Sequence, residues 1–396
     1  MSSLNAFVSN KLQDLDARSL RRHLVVTARG TQSRAVRESA EGSHHDLISF
    51  CCNDYMNLGQ HPVVKQAAAE AALAFGVGAG ASRLVTGTHP LVVELEERLA
   101  HLKGTQSAVV FGSGYLTNLG VIPSLVGEGD LILVDELAHA CLFGGAQLAG
   151  ARVAVFRHND VGHASALLKE LRADHARALL LTDGVFSMDG DLAPLEDLTA
   201  LARTHDVWLM SDDAHGIGVL GEGRGSTAAQ IMDGRDVDVP LQMGTLSKAV
   251  GVYGGYLCAS KPVVDFIKTR ARSFIYSTAL PPACLAACLA ALDIIESDAD
   301  LRRRPIENAR LFASLVGLNM EPQSTIIPVV LGAPDRALAA SRLLEENGFL
   351  VSAIRPPTVP EGTARLRLTF TAAHRQEDIK HLAKLVREKI IDRDSL

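Results

Sequence analysis

Short apolar runs alternate with amphipathic stretches through the middle of the chain. The runs are SAVVFG (107–112), DLILVD (130–135), RVAVFR (152–157), ALLLTD (178–183), VWLMSD (207–212), VPLQMG (239–244) and YLCAS (256–260). They are nearly continuous in apolar residues, the pattern of strands buried on both faces. Between them lie helical patterns with readable ends. PLVVELEERLAHLK is opened by Pro90 and closed by Gly104, and HASALLKELRADH and LAPLEDLTALARTH follow the same period. Strands separated by helices predict an α/β domain with a mostly parallel sheet flanked by helices.

The two ends of the chain differ from the middle. Residues 4–24 alternate apolar and charged positions roughly as one amphipathic helix, and a polar loop is expected from there to about residue 46. After the apolar stretch ALPPACLAACLAALDII come an Arg-rich helical segment, LRRRPIENARLFASLV, two shorter strands, TIIPVVLG and ARLRLTF, and a closing helix, QEDIKHLAKLVREK. These predict a smaller C-terminal α+β domain. The expected division is an N-terminal helix and extension over 1–46, a large domain over 47–290 and a small domain over 291–396.

Composition narrows the classes. The chain has 396 residues, 47% hydrophobic and 21% charged, with a net charge of −6. That suits a globular protein with a large core, and no basic stripe points to nucleic acid. None of the six cysteines (Cys51, Cys52, Cys141, Cys258, Cys284, Cys288) forms a CxxC pair, which suits a reducing compartment. The N-terminus lacks the apolar core of a signal peptide, and Pro282 interrupts the one long apolar stretch, so a cytoplasmic protein with no membrane span is expected. His44 and His45 sit together in the polar loop without a metal-ligand pattern, and no metal is expected.

In an open α/β sheet, ligands bind beyond the carboxyl ends of the strands. Five of these strands are succeeded by residues with chemistry. DLILVD leads to ELAHA with His139, ALLLTD to GVFSMDGD with Asp183 and Ser187, VWLMSD to DAHGIG with Asp212 and His215, and VPLQMG to TLSK with Lys248. SAVVFG leads to SGYLTN, a glycine turn opening a helix. A lone Asp or His after a strand is more often a cap or loop residue. Their coincidence on one edge raises the odds of a site. The turn FGSGYLTN offers backbone N–H groups to a phosphate at a helix N-terminus, or is simply a tight turn, and the two readings stand level. GTLSK lacks the spacing of a nucleotide-hydrolysing loop, and GVGAGASR at 76–83 lacks that of a dinucleotide fingerprint. A phosphate site, a lysine, an acid and two histidines suit pyridoxal phosphate. The lysine amine bonds its aldehyde, a carboxylate keeps its ring nitrogen protonated, and a histidine lies flat on the ring.

Four segments, VWLMSDDAHGIGVLGEGRGS, TDGVFSMDGD, GTLSKAVGVYGGY and SAIRPPTVPEGTARLRLTFTAAH, together resemble the α-oxoamine synthases, a family of fold-type-I pyridoxal-phosphate enzymes. The resemblance runs from about residue 12 to the C-terminus. It implies a role for each matching position. Lys248 would hold the cofactor and move the substrate Cα proton, Asp212 would pair with the ring nitrogen, His215 and Ser187 would contact the phenolic oxygen, and His139 would stack on the ring. The amides of Gly114 and Tyr115, with Thr245, would bind phosphate. Asn53 would approach the amino-acid substrate, Arg355 would grip its carboxylate, and Arg21 would lie near the acyl substrate. The family site lies at a homodimer interface, so Ser277 and Thr278 would reach the neighbouring subunit's phosphate.

The IRPPTVP segment at 354–360 narrows the implied reaction to decarboxylative condensation of L-alanine with a pimeloyl thioester, carried by coenzyme A or acyl carrier protein, in biotin biosynthesis. The alternatives are a sister reaction joining glycine to a short acyl-CoA, and a family-shaped partner subunit without catalysis. Asp183 stands where the resemblance expects a glutamate, Val92 where many relatives carry a histidine, and Cys51 and Cys52 where small serines are expected. Outside these positions the bland expectations hold: Asp213 is structural because it points away from Asp212, His158 caps a loop, His374 is a surface residue, and Arg365 and Arg367 form a solvated strand face.

Overall fold

The computed structural model describes every residue except 1, 39–41, 43 and 393–396. The chain divides into two compact units. One is Asn53–Ile306, and the other joins both ends of the chain, Met1–Cys52 with Glu307–Leu396.

In the unit Asn53–Ile306, alternate residues of each apolar run feed opposite faces of one sheet, as the two-residue period requires. Ile132, Val134, Leu179 and Leu181 enter one core, and Leu131, Leu133, Ala178 and Leu180 enter the other. The sheet has seven strands in the spatial order Ser107–Phe111, Gly255–Ala259, Leu241–Thr245, Trp208–Asp212, Ala178–Asp183, Leu131–Asp135, Arg152–Phe156. The last five run parallel to one another, and Gly255–Ala259 is antiparallel to both of its neighbours. The mostly parallel sheet is therefore present, with one reversed strand. In the parallel register Asp183 pairs with Asp212, and Asp212 with Met243. The carboxyl ends of three adjacent strands thus fall in one row.

The unit built from the chain ends corrects several expectations. The supposed polar loop contains the strands Thr27–Arg29, Arg34–Glu38 and His44–Ser49, paired antiparallel. Ala35 and Leu47, both 2% exposed, face each other across that ladder. So few apolar positions per strand left no period to read. Ile48 also pairs in parallel with Phe349, so backbone hydrogen bonds tie the N-terminal segment to the C-terminal residues. The expected division at 46 and 290 differs from the observed one for that reason. The first helix is Ser3–Ala17, shorter than 4–24, and the left-handed φ of 55° at Ser19 turns the chain out of it.

Two further corrections share one cause, which is burial by segments distant in sequence. Arg365 and Arg367 are 4% and 6% exposed, because Ala364–Thr369 is the central strand between Ile326–Gly332 and Ser352–Ile354. His374 is likewise buried. It stacks on Phe50 with ring centroids 3.9 Å apart, accepts the Thr371 N–H on Nδ1 at 3.0 Å, and sets Nε2 2.9 Å from the Ser49 carbonyl. Burial pushes its pKa down to about 4, against the smaller pull of the Ser49 carbonyl and Asp378. The unfolded chain would titrate near 6.5, so below that pH it binds a proton that the folded state refuses. Stability from this residue is complete above about pH 6.5 and is lost as pH falls toward 4. We expect urea unfolding of the wild type to lose about 3 kcal/mol more than His374→Gln between pH 7 and pH 4. Parallel pH profiles would refute this.

Candidate active site

Lys248 lies in the loop between the strands Leu241–Thr245 and Gly255–Ala259. The loop closes on itself: the Thr245 hydroxyl donates to the Gly254 carbonyl at 2.8 Å, and the Leu246 N–H reaches the same carbonyl at 3.0 Å. Gly251 has a φ of +79°, and a Cβ there would lie 2.4 Å from the Gly59 nitrogen. The glycines around the lysine thus let backbone segments meet while Lys248 projects inward. Its Nζ stands 2.7 Å from His215 Nε2, and His215 Nδ1 stands 2.6 Å from the Tyr55 hydroxyl. Tyr55 in turn reaches Asn53 Oδ1 at 3.3 Å.

Asp212, 5% exposed, ends the neighbouring strand. It accepts hydrogen bonds from Asn118 Nδ2 at 2.8 Å and from the Ala214 N–H at 3.0 Å. His139 caps the helix Ala140–Ala149, its Nδ1 accepting the Cys141 N–H at 3.3 Å and lying 2.8 Å from Cys141 Sγ. Nδ1 is therefore the acceptor nitrogen, and the imidazole stays neutral. Loss of water holds its pKa below the usual value, against the pull of Asp212 and with the push of Lys248. The residue is exposed and lines the cavity, where a flat aromatic group could lie on its ring. Burial and Asp212 push the Cys141 thiol far up, so it stays a thiol.

The opposite end is the N-terminus of the helix Gly114–Leu125. Ser113 caps it by accepting the Leu116 N–H at 3.2 Å, which leaves the Gly114 and Tyr115 amides among its unpaired first-turn donors. The helix start rests on the sheet: a Cβ on Gly255 would lie 2.5 Å from the Gly114 nitrogen. Thr245 and Ser247, their hydroxyl oxygens 2.8 Å apart, stand beside this helix start, an arrangement suited to an anion.

Eight of the expected residues line one cavity of about 230 Å³: Gly114, Tyr115, His139, Ser187, Asp212, His215, Thr245 and Lys248. An amine, a carboxylate held by two donors, an exposed imidazole face and a helix N-terminus flanked by hydroxyls fit pyridoxal phosphate. Asn53 reaches this group through Tyr55. Thr278 does not line the cavity; it forms an isolated bridge with Ser82. Arg21 and Arg355 belong to the other unit, where they line an open cavity of about 590 Å³. There Arg21 pairs with Asp16 at 2.7 Å, and Arg355 donates to the Ser19 carbonyl.

Sequence reasoning missed Tyr55, Asn118 and Cys141. Asn118 was within reach, because it stands one helical turn after Gly114. Tyr55 and Cys141 carried no signal beyond their nearness to Asn53 and His139. His158 is more than a loop cap. It bridges Asp135 at 3.1 Å and Asp191 at 2.8 Å. Burial opposes its charge, yet these two hydrogen bonds prevail and its pKa is pushed up to about 10. Asp213 points away from the cavity and pairs with Lys103 at 2.6 Å. Among the described residues, no cluster of His, Cys, Asp and Glu is placed to hold a metal, and no helix is long and apolar enough to cross a membrane.

The family model for class I and II aminotransferases matches residues 45–386. A protein named 8-amino-7-oxononanoate synthase from Methylocella silvestris is 64% identical over 342 residues, covering 86% of this chain and 96% of the relative. One of the same name from Beijerinckia indica is 58% identical over 386 residues, 98% of each chain. A serine palmitoyltransferase solved with pyridoxal phosphate superposes with a TM-score of 0.89 at 29% identity, covering 98% of each chain.

Proposed function

The chain belongs to the class I and II aminotransferases, and within them to the 8-amino-7-oxononanoate synthases; on that premise we propose which of its residues carry the reaction and with which substrates. Its cofactor is pyridoxal phosphate, and its reaction is the acyl transfer of biotin biosynthesis. The substrates are L-alanine and a pimeloyl thioester, on coenzyme A or acyl carrier protein. One C–C bond forms, the thiol leaves, CO2 is lost, and 8-amino-7-oxononanoate results. Bound pyridoxal phosphate supplies the electron sink that makes the alanine Cα proton removable.

The residues divide the work by position. Lys248 Nζ holds the cofactor, then takes the Cα proton and returns one after CO2 has left. His215, held by Tyr55 and 2.7 Å from Nζ, orients that amine. Asp212, fixed by Asn118 and the Ala214 amide, supplies the negative charge that keeps the ring nitrogen protonated. His139 would cover one face of the bound ring and exclude water from it. The Gly114 and Tyr115 amides and Thr245 would hold the phosphate, and Ser187 with His215 would hold the phenolic oxygen. Asn53, Arg355 and Arg21 bind substrate. The observation that carries this reading is the placement of Lys248, His215 and Asp212 around one cavity from adjacent strand ends.

A homodimer and a cytoplasmic location complete the proposal. Exposed apolar side chains flanking the Ser82–Thr278 bridge, Leu84, Val85 and Tyr276 at 61%, 73% and 73%, support a partner there, with Thr278 serving the neighbouring cavity. Light scattering at micromolar concentration tests the dimer. Thiol release tests the reaction: L-alanine with pimeloyl-CoA is compared with glycine and acetyl-CoA, with Lys248→Ala as the blank. Release only in the first pair, lost in the variant, is expected. Release only with glycine would overturn the substrate assignment.

A further inference from the structure

Asp183 and Asp212 stand side by side at the ends of two paired parallel strands, partners in register. Both are buried, at 3% and 5% exposure. Their hydrogen bonds differ. Asp212 accepts three, from Asn118 Nδ2, from the Ala214 N–H and, at 4.0 Å, from the Cys141 thiol. Asp183 accepts one, from the His139 N–H at 3.1 Å, on Oδ2. Its Oδ1 is buried with no hydrogen-bond partner among the described residues, and the side chain lines the cavity. Two neighbouring buried carboxyls do not both hold a negative charge readily; the better-solvated one ionises and the other keeps the proton. Donor count assigns the charge to Asp212.

We propose that Asp183 carries the proton of this pair at neutral pH and donates it from Oδ1, as a hydrogen bond, to an acceptor oxygen of the molecule bound in the cavity. The unpartnered oxygen becomes an O–H donor, and its partner arrives with the ligand. The electrostatics agree: burial first, then Asp212 and Asp135, hold the Asp183 pKa well above the usual carboxylate range, against the His139 amide and Lys248. The shorter side chain matters too. With aspartate in place of the expected glutamate, one oxygen is spent on the His139 amide and the other is left for the cavity. The acceptor belongs either to the cofactor or to the amino-acid substrate. This identification rests on the cofactor reading of the cavity; the protonation state does not.

The test has two arms. Carboxyl protonation is read by infrared difference spectroscopy on the full cofactor-free chain at pH 7, wild type against Asp183→Asn. A protonated-carboxyl band lost in the variant is expected, and an ionised Asp183 would overturn the proposal whatever the enzyme's activity. The second arm compares Asp183→Asn with Asp183→Ala. The asparagine keeps a donor for the cavity and an acceptor for His139, so its cofactor Kd and alanine KM should stay within about threefold of wild type. The alanine variant should raise one of them about 10- to 100-fold, as for loss of a hydrogen bond to a charged group. A rise in cofactor Kd assigns the acceptor to the cofactor, and a rise in alanine KM alone assigns it to the substrate. No rise in either, or an asparagine variant as impaired as the alanine one, overturns the proposal.

Discussion

Asp212→Asn is expected to fold normally and to lose about two to four orders of magnitude in kcat. The carboxylate is held by a side-chain amide and a backbone amide, so it is pre-oriented. An asparagine there is neutral. It has one acceptor oxygen for two donors, and its own NH2 would face one of them. A ring cation bound against it would be buried without a counter-charge, a loss of about 3–5 kcal/mol by analogy with broken buried ion pairs. At about 1.4 kcal/mol per tenfold, that gives the stated range. The check is steady-state thiol release at saturating L-alanine, with far-ultraviolet circular dichroism to confirm the fold. A kcat within tenfold of wild type would remove Asp212 from its assigned role.

The second large effect falls on stability. Lys103 and Asp213 form an ion pair whose side chains are 0% and 1% exposed, with Nζ 2.6 Å from Oδ2. The lysine also donates to the Arg224 carbonyl, and Asp213 also accepts the Ser226 N–H at 3.0 and 3.2 Å. Removing one partner of such a pair leaves an uncompensated charge in the interior. Lys103→Met is expected to cost about 3–5 kcal/mol, read from the urea midpoint at pH 7. The double variant Lys103→Met with Asp213→Asn carries no buried charge and should recover much of that loss. The cycle separates the cost of stranding the charge from the worth of the pair. A single-variant loss below about 1 kcal/mol would mean that water or a neighbouring group takes over the charge.

The strands of the large sheet were legible because their apolar runs are long enough to be buried on both faces, and the observed strands Leu131–Asp135 and Ala178–Asp183 fall within the runs read at 130–135 and 178–183. The strands Arg34–Glu38 and His44–Ser49 were not legible. Their burial depends on pairing with each other and with Phe349, a partner distant in sequence, and each offers few apolar positions. His374 and Arg367 were misjudged for a related reason. A polar residue's burial is set by what other segments place over it, and no local pattern records that.

The same distinction runs through the candidate site. The residues immediately after a strand are a local property of the chain, so the sequence alone determined that His139, Ser187, Asp212, His215 and Lys248 emerge at strand ends, where an open α/β sheet binds ligands. Only the tertiary structure decided their partners. Tyr55 meets His215 across 160 residues of chain, and Asn118 meets Asp212 across 94. The register of two strands sets Asp183 beside Asp212, and the difference between one donor and three then separates their protonation. Side-chain chemistry travels with the residue, whereas charge state and orientation are fixed by neighbours that long-range packing supplies.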